Sequence, residues 1–151
     1  MKKIITSCVF ALSLMVYTAI AQPGARMMEN IEAMKVGFIT QKLDLSPEEA
    51  QKFWPVYNKY ADELEKLRIG FKGKMRADLS DMESMTDAQA EKALNEMLNF
   101  KLAEVDITRK YVSEFKKVLP IKKVVQLFKA EQEFKVKLLS DIKERRKRDR
   151  Q

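Results

Sequence analysis

Residues 45–71 read LSPEEAQKFWPVYNKYADELEKLRIGF and carry the strongest helix signal in the chain. Ser46, Pro47 and Glu49 fit a capping box, in which the serine oxygen accepts from a free N–H of the first turn and the glutamate reaches back. Pro47 stands at the first helical position, where its missing N–H costs nothing. Leu45 precedes the cap and can pack onto the first turn. The sequence therefore predicts a helix that begins at this cap.

An apolar seam follows the cap, with alternating spacings of three and four residues. Its members are Ala50, Phe53, Tyr57, Tyr60, Leu64, Leu67 and Phe71. This spacing places them on one helix face over three heptads, and Trp54 widens the face. Pro55 lies inside the pattern and predicts a bend between residues 51 and 55.

The aromatic part of this seam has two interpretations. It consists of Phe53, Trp54, Tyr57, Tyr60 and Phe71. The simplest interpretation is a hydrophobic core. The alternative is a partly exposed protein-binding groove, because a tyrosine can bury its ring and keep its hydroxyl in water.

Two further helices are predicted on either side of a linker. The first runs from about Arg26 to Leu43, where apolar residues recur at helical spacing. The segment from Lys74 to Met85 has no helical stripe and is predicted to be a linker, into whose start the preceding helix can extend. Thr86 and Gln89 then form a second capping box, which predicts a helix that runs to about Val118.

The apolar residues of this next helix drift around one face. They are Leu94, Leu98, Leu102, Val105, Val112, Phe115 and Leu119. Pro120 disfavours helical geometry at Leu119, so a fourth helix is predicted to start near Pro120 and to run into a basic tail. Its apolar residues cover a wide arc, which usually needs two contact surfaces. No strand-like alternation appears, and the sequence predicts an all-α fold of four helices.

The composition argues against an enzyme. The chain of 151 residues fits one domain. It has no His, which removes the commonest general base and the commonest metal ligand, and its single Cys cannot form an internal disulfide. We expect no catalytic residue, no cofactor and no metal site, although Met thioethers leave a copper(I) site as a minor alternative.

The N-terminus has the three-part pattern of a secretory signal peptide. Lys2 and Lys3 precede an apolar run from residue 4 to residue 20, and Ala19-Ile20-Ala21 fits a cleavage site. A transmembrane anchor is the alternative, but the run is short for a span and ends in small residues. We expect cleavage after Ala21 and a periplasmic location.

Without residues 1–21, the chain holds no Cys and has 27 basic and 22 acidic residues, a net charge of +5. Residues 143–150 contribute +4 of this, so a nearly neutral helical domain, 22–142, precedes a basic tail, 143–151. The tail includes Arg145, Arg146, Lys147 and Arg148. It is either a solvated helix end or a contact for anionic lipid or an acidic partner, and export argues against nucleic acid.

The stretch Leu45-Ser46-Pro47-Glu48-Glu49 resembles the L-T-x-x-Q motif of the Spy/CpxP family of periplasmic stress proteins, which includes zinc-resistance-associated proteins. Leu45 matches the Leu, Ser46 matches the Thr, and Glu49 stands where Gln is usual. Residues 85–89, Met-Thr-Asp-Ala-Gln, fit the short pattern at the third helix. The stretch from Leu45 to Tyr60, with FWPVY at residues 53–57, looks like a subgroup described as periplasmic sensors tied to extracytoplasmic sigma factors.

This resemblance implies four helices built as long hairpins and a homodimer with a curved, cradle-like shape. It also implies a periplasmic, ATP-independent chaperone that binds unfolded envelope proteins. A sensor or regulator in a sigma-factor or metal-stress pathway, which would bind one specific partner, is the alternative. Metal-binding members of the family use His ligands, so the absence of His argues against that activity here.

Overall fold

The computed structural model describes residues 23–78, 84–148 and 150. Nearly all of them belong to four helices, α1 (Pro23–Leu43), α2 (Pro47–Asp78), α3 (Asp87–Val118) and α4 (Ile121–Arg148). The described part of the chain contains no strand, which confirms the all-α, four-helix prediction. The predicted signal peptide lies outside the described residues.

Two helix boundaries differ from the sequence prediction. α1 begins at Pro23, three residues before the predicted start, and α2 continues to Asp78. The linker prediction allowed some helical extension at its start, and α2 does extend over residues 74–78. One buried side chain, Met75, holds this last part of α2, and Lys74 pairs with Glu96 of α3 at 3.7 Å. α2 also remains helical through Pro55.

The helices pack in two pairs, α2 along α3 and α1 along α4. In the first pair, Lys110 of α3 contacts Glu63 of α2, whereas Glu104, earlier in α3, contacts Arg68, later in α2. The two helices therefore run in opposite directions. α1 and α4 also run in opposite directions, because Phe38 contacts Phe134, whereas the later Asp44 backbone contacts the earlier Lys123.

The core lies where the two pairs meet, and we call this region the helix junction. Its buried side chains come from the end of α1, the first half of α2, the last third of α3 and the first half of α4. They are Ile39, Leu43, Phe53, Tyr57, Tyr60, Leu64, Tyr111, Phe115, Leu119, Val124, Leu127 and Ala130. All four helices thus contribute to one hydrophobic cluster.

The helical path is broken between α3 and α4 at Pro120. Leu119 has φ −134° and ψ 148°, an extended conformation that proline imposes on the residue before it. The Pro120 carbonyl then accepts hydrogen bonds from the N–H groups of Lys123 and Val124, at 2.9 and 3.2 Å. This break separates α3, which packs against α2, from α4, which packs against α1.

Candidate protein-binding surface

The cap of α2 also fastens α2 to α4. Ser46 N–H donates to Glu49 Oε2 at 2.9 Å, and Glu49 N–H donates to Ser46 Oγ at 3.2 Å. Lys123 Nζ of α4 donates to the same Glu49 oxygen at 2.6 Å and to the Asp44 carbonyl at 2.6 Å. The hydrogen bonds from Lys123 and from the Ser46 backbone lower the pKa of Glu49. The motif residues therefore hold the helix junction together.

The turn between α1 and α2 explains how the cap is positioned. Asp44 has a positive φ of 46°, and its N–H donates to the Gln41 carbonyl, while the Leu45 N–H donates to the Thr40 carbonyl. These two bonds form a Schellman motif, which ends α1. The side chain of Leu45 packs against the core cluster, so the turn is fixed from both sides.

Most of the aromatic seam forms the core of the junction. Phe53, Tyr57 and Tyr60 are buried, and Phe115 of α3 contacts all three rings at centroid distances of 5.6–6.4 Å. Trp54 is half-buried against the same cluster. Residues this enclosed stabilise the fold and leave little surface for a partner.

Phe71, the last residue of the seam, lies outside the junction. Its ring is half-buried and stacks on Phe100 of α3, with centroids 4.1 Å apart and an interplanar angle of 13°. These two rings line a shallow groove between α2 and α3. The stacked pair holds the outer parts of the two helices together.

A carboxyl group is enclosed beside the junction. The Tyr57 hydroxyl donates to Glu131 Oε1 at 2.8 Å, and the Lys35 ammonium lies 5.0 Å from the centroid of the Tyr57 ring. Burial raises the pKa of Glu131, while the tyrosine bond opposes that rise. Burial and the nearby carboxylate both raise the pKa of Tyr57. The sequence shows no sign of this pair, because its members lie 74 positions apart.

The strongest candidate for a binding surface is on α3. Five large apolar side chains share one face of this helix and are between 46% and 62% exposed. We call this set the outer face of α3: Leu94, Met97, Leu98, Leu102 and Val105. Along the described part of the chain, α2 packs against α3 from another side, and α4 contacts α3 only sparsely. Contiguous exposed apolar surface of this kind often marks an interaction site.

Charged residues border this apolar surface. Lys101 lies within the stretch and pairs with Glu104 at 2.9 Å, and Arg109 beyond it pairs with Asp106 at 3.1 Å. Both ion pairs join neighbouring turns of α3 on its solvent side, so they contribute little to the free energy of unfolding. The outer face of α3 is therefore an apolar strip with both signs of charge at its rim.

The second capping box starts the helix that carries this surface. Thr86 N–H donates to Gln89 Oε1 at 2.8 Å, and Gln89 N–H donates to Thr86 Oγ1 at 3.4 Å. Both residues are exposed, in contrast to the half-buried Ser46 and Glu49. Thr86 and Gln89 thus define the start of α3, and their side-chain hydrogen bonds to described residues lie within the cap.

The basic tail continues α4 to Arg148. Arg145, Arg146, Lys147 and Arg148 are all exposed and occupy the last turn. The tail is separate from the outer face of α3, so the described structure offers two distinct surfaces. Within the described ranges, no group of three or more acidic, His or Cys side chains is arranged to hold a metal ion.

None of the helices that the structure describes combines the length and the apolar character needed to cross a membrane.

The chain matches no protein-family model, no curated protein and no solved structure. Similarity to known proteins therefore assigns it to no family.

Proposed function

We propose that this protein is a periplasmic, ATP-independent chaperone-like stress protein that binds unfolded envelope proteins along the outer face of α3. The observation that carries the proposal is the exposure of its five large apolar side chains on one helix. An unfolded chain exposes apolar side chains that gain about 25 cal/mol per Å² when they are covered. Such a face would bind many sequences, because apolar contact has no fixed direction.

The composition of the surface suits varied clients. Met97 has an unbranched, polarizable side chain that adapts to different shapes. Lys101 and Arg109 at the rim are exposed cations, which attract acidic segments of a client over a longer range than apolar contacts act. Adaptable contact and mixed charge together favour broad binding over recognition of one folded shape.

An aggregation assay with a chemically denatured model client tests this function. We expect suppression at a stoichiometric amount of the protein, and a loss of suppression in the double variant Leu98→Asn/Leu102→Asn. The double variant Val125→Asn/Val136→Asn is the control, because it removes two exposed apolar side chains from α4 instead. Absence of suppression by the unsubstituted protein would rule out the chaperone activity.

A homodimer, with the helices paired as long hairpins in a curved shape, is part of the proposal. One observation favours self-pairing along the same face: Glu91 and Arg109 extend the spacing of Leu94, Leu98 and Val105 at its two ends. In an antiparallel pair of α3 helices, each Glu91 would face the partner's Arg109. Light scattering on the unsubstituted protein and on Leu98→Asn/Leu102→Asn separates self-pairing from client binding, because only self-pairing predicts a change of mass.

A sensor or regulator would use the same surface for one folded partner. Affinity capture from the cell envelope distinguishes the two roles: a heterogeneous set of proteins supports the chaperone, and one stoichiometric partner supports the sensor. The periplasmic location has its own test. The N-terminal sequence of the protein recovered from the periplasmic fraction is expected to begin at Gln22.

A further inference from the structure

The end of α4 concentrates positive charge that the rest of the described chain does not neutralise. Residues 143–148 hold five basic side chains and one acidic side chain. Among the described residues, none of these five cations takes part in an ion pair. A helix C-terminus accommodates cations, but that effect is limited to its last turn. The field of the tail is therefore available to an anionic partner.

Apolar side chains lie on the same face as these cations. Leu139 and Ile142 line a shallow hollow of about 510 Å³ together with Lys143, Arg146, Lys147 and Arg150. The spacing of the first five residues, three and one in alternation, places them along one side of α4. Leu139 is 60% exposed. The hydrocarbon stems of Lys and Arg extend this apolar floor, with their charged ends at its edge.

The start of α1 lies at the same end of the molecule. α1 and α4 run in opposite directions, so the first turns of α1 lie near the last turns of α4. Met27 and Met28 are 50% and 68% exposed there, and Arg26 is exposed beside them. This end of the molecule therefore combines further apolar side chains and one more cation.

We infer that this end of the α1–α4 pair binds the surface of an anionic lipid bilayer. A helix with apolar side chains flanked by Lys and Arg can lie in the headgroup region, with the apolar groups at the acyl boundary and the cations at lipid phosphates. Leu139 and Ile142 favour a bilayer over a nucleic acid or an acidic protein segment, because a phosphate backbone or a carboxylate would leave them exposed to water.

Charge and apolar contact make separable contributions. Each Lys or Arg close to an anionic membrane contributes about 1 kcal/mol, which is about a fivefold change in the partition constant. Replacing Lys143 and Arg146 by neutral residues is therefore expected to lower partitioning about 30-fold. Leu139→Asn is expected to lower the partition constant as well, although it does not change the charge.

Co-sedimentation with vesicles tests the inference on a chain that begins at Gln22, which contains all four helices and the whole core cluster. Vesicles of mixed phosphatidylglycerol and phosphatidylcholine are compared with vesicles of phosphatidylcholine alone. The variants are Lys143→Gln/Arg146→Gln, Leu139→Asn, and the control Lys59→Gln/Lys116→Gln. The control removes two exposed cations from α2 and α3 that form no ion pair with another described residue. Far-UV circular dichroism establishes that each variant is folded.

The expected result is binding to the anionic vesicles only, about 30-fold weaker for Lys143→Gln/Arg146→Gln, weaker for Leu139→Asn and within twofold of the original for the control. Equal binding to both kinds of vesicle, or no effect of either test variant, would overturn the inference. Binding to polyglutamate that depends on Lys143 and Arg146 but not on Leu139, without vesicle binding, would assign the surface to an acidic partner and would also overturn it.

Discussion

The helix junction and the outer face of α3 are both built from apolar residues at helical spacing, but they have opposite surroundings. At the junction, Phe53 and Phe115 are completely buried by contributions from four helices. Farther along α3, Leu98 and Leu102 are more than half exposed. The periodicity of a sequence therefore indicates which residues share a face of a helix. Whether that face is core or surface depends on how many other helices pack around that part of the helix.

This difference divides stability from binding. The junction also holds the bond between buried Tyr57 and half-buried Glu131, and the contact of Lys123 with the cap of α2. The outer face of α3 borders the ion pairs Lys101–Glu104 and Arg109–Asp106, whose cations are exposed. Substitutions at the junction are expected to change the free energy of unfolding, while substitutions on the outer face are expected to change the binding of other proteins.

The largest contrast is expected from truncation of one side chain in each region. Phe115→Ala removes a fully buried ring that contacts three other aromatic rings of α2, and we expect it to lower the free energy of unfolding by about 3–5 kcal/mol. Leu98→Ala should change it by about 0.5 kcal/mol or less, because that side chain is already exposed. Urea denaturation measures both values. Similar losses for the two variants would contradict the division.

Removal of the Tyr57 hydroxyl is expected to have the next largest effect. Tyr57→Phe keeps the buried ring but leaves Glu131 without its donor, which should cost about 1.5–3 kcal/mol. Tyr60→Phe is a useful comparison, since Tyr60 belongs to the same cluster and its hydroxyl forms a hydrogen bond with the neutral side chain of Thr108. Thermal unfolding at neutral pH measures the difference, and an equal effect of the two substitutions would count against the bond.

Glu131→Gln is expected to change how stability depends on pH. Burial raises the folded-state pKa of Glu131 above its usual value of 4.5. Protonated Glu131 stabilises the folded protein relative to its ionised form. This stabilisation is complete below about pH 4.5 and is lost as the pH rises through the folded-state pKa. The gain in stability of Glu131→Gln over the original protein should thus increase from pH 4 to pH 8, as followed by urea denaturation. If the difference in the free energy of unfolding between the two proteins does not change with pH, burial does not raise the pKa of Glu131.

The two capping boxes provide the smallest contrast. Thr86→Ala should cost about 1 kcal/mol, the usual value for loss of an N-cap. Ser46→Ala should cost more than Thr86→Ala, because Ser46 also positions the Glu49 carboxylate that binds Lys123. Thermal unfolding of both variants measures the order. A larger loss for Thr86→Ala would mean that the contact with α4 adds nothing to the cap.

Local signals allowed parts of this structure to be predicted from the sequence. The caps at Ser46 and Thr86 depend on residues three positions apart, and both form the expected hydrogen bonds. The break at Pro120 follows from a steric rule that acts on one neighbour. The seam of α2 was predicted because its spacing of three and four residues is regular from Ala50 to Phe71.

Features that depend on distant residues could not be predicted. Among residues 74–76, whose burial is described, Met75 is the one buried side chain, so the last part of α2 leaves no periodic pattern. The apolar face of α3 continues with the same kind of spacing from Leu94 to Leu119, and nothing in that spacing indicates where its burial ends. The contact of Lys123 with Glu49 joins positions 74 residues apart.

Site-specific cross-linking tests the proposed binding surface most directly. A photoreactive side chain in place of Leu98 is expected to cross-link to a denatured client, whereas the same group in place of Val125 of α4 is expected not to do so, although both positions are exposed. Equal cross-linking from the two positions, or cross-linking from Val125 alone, would contradict the assignment of client binding to the outer face of α3.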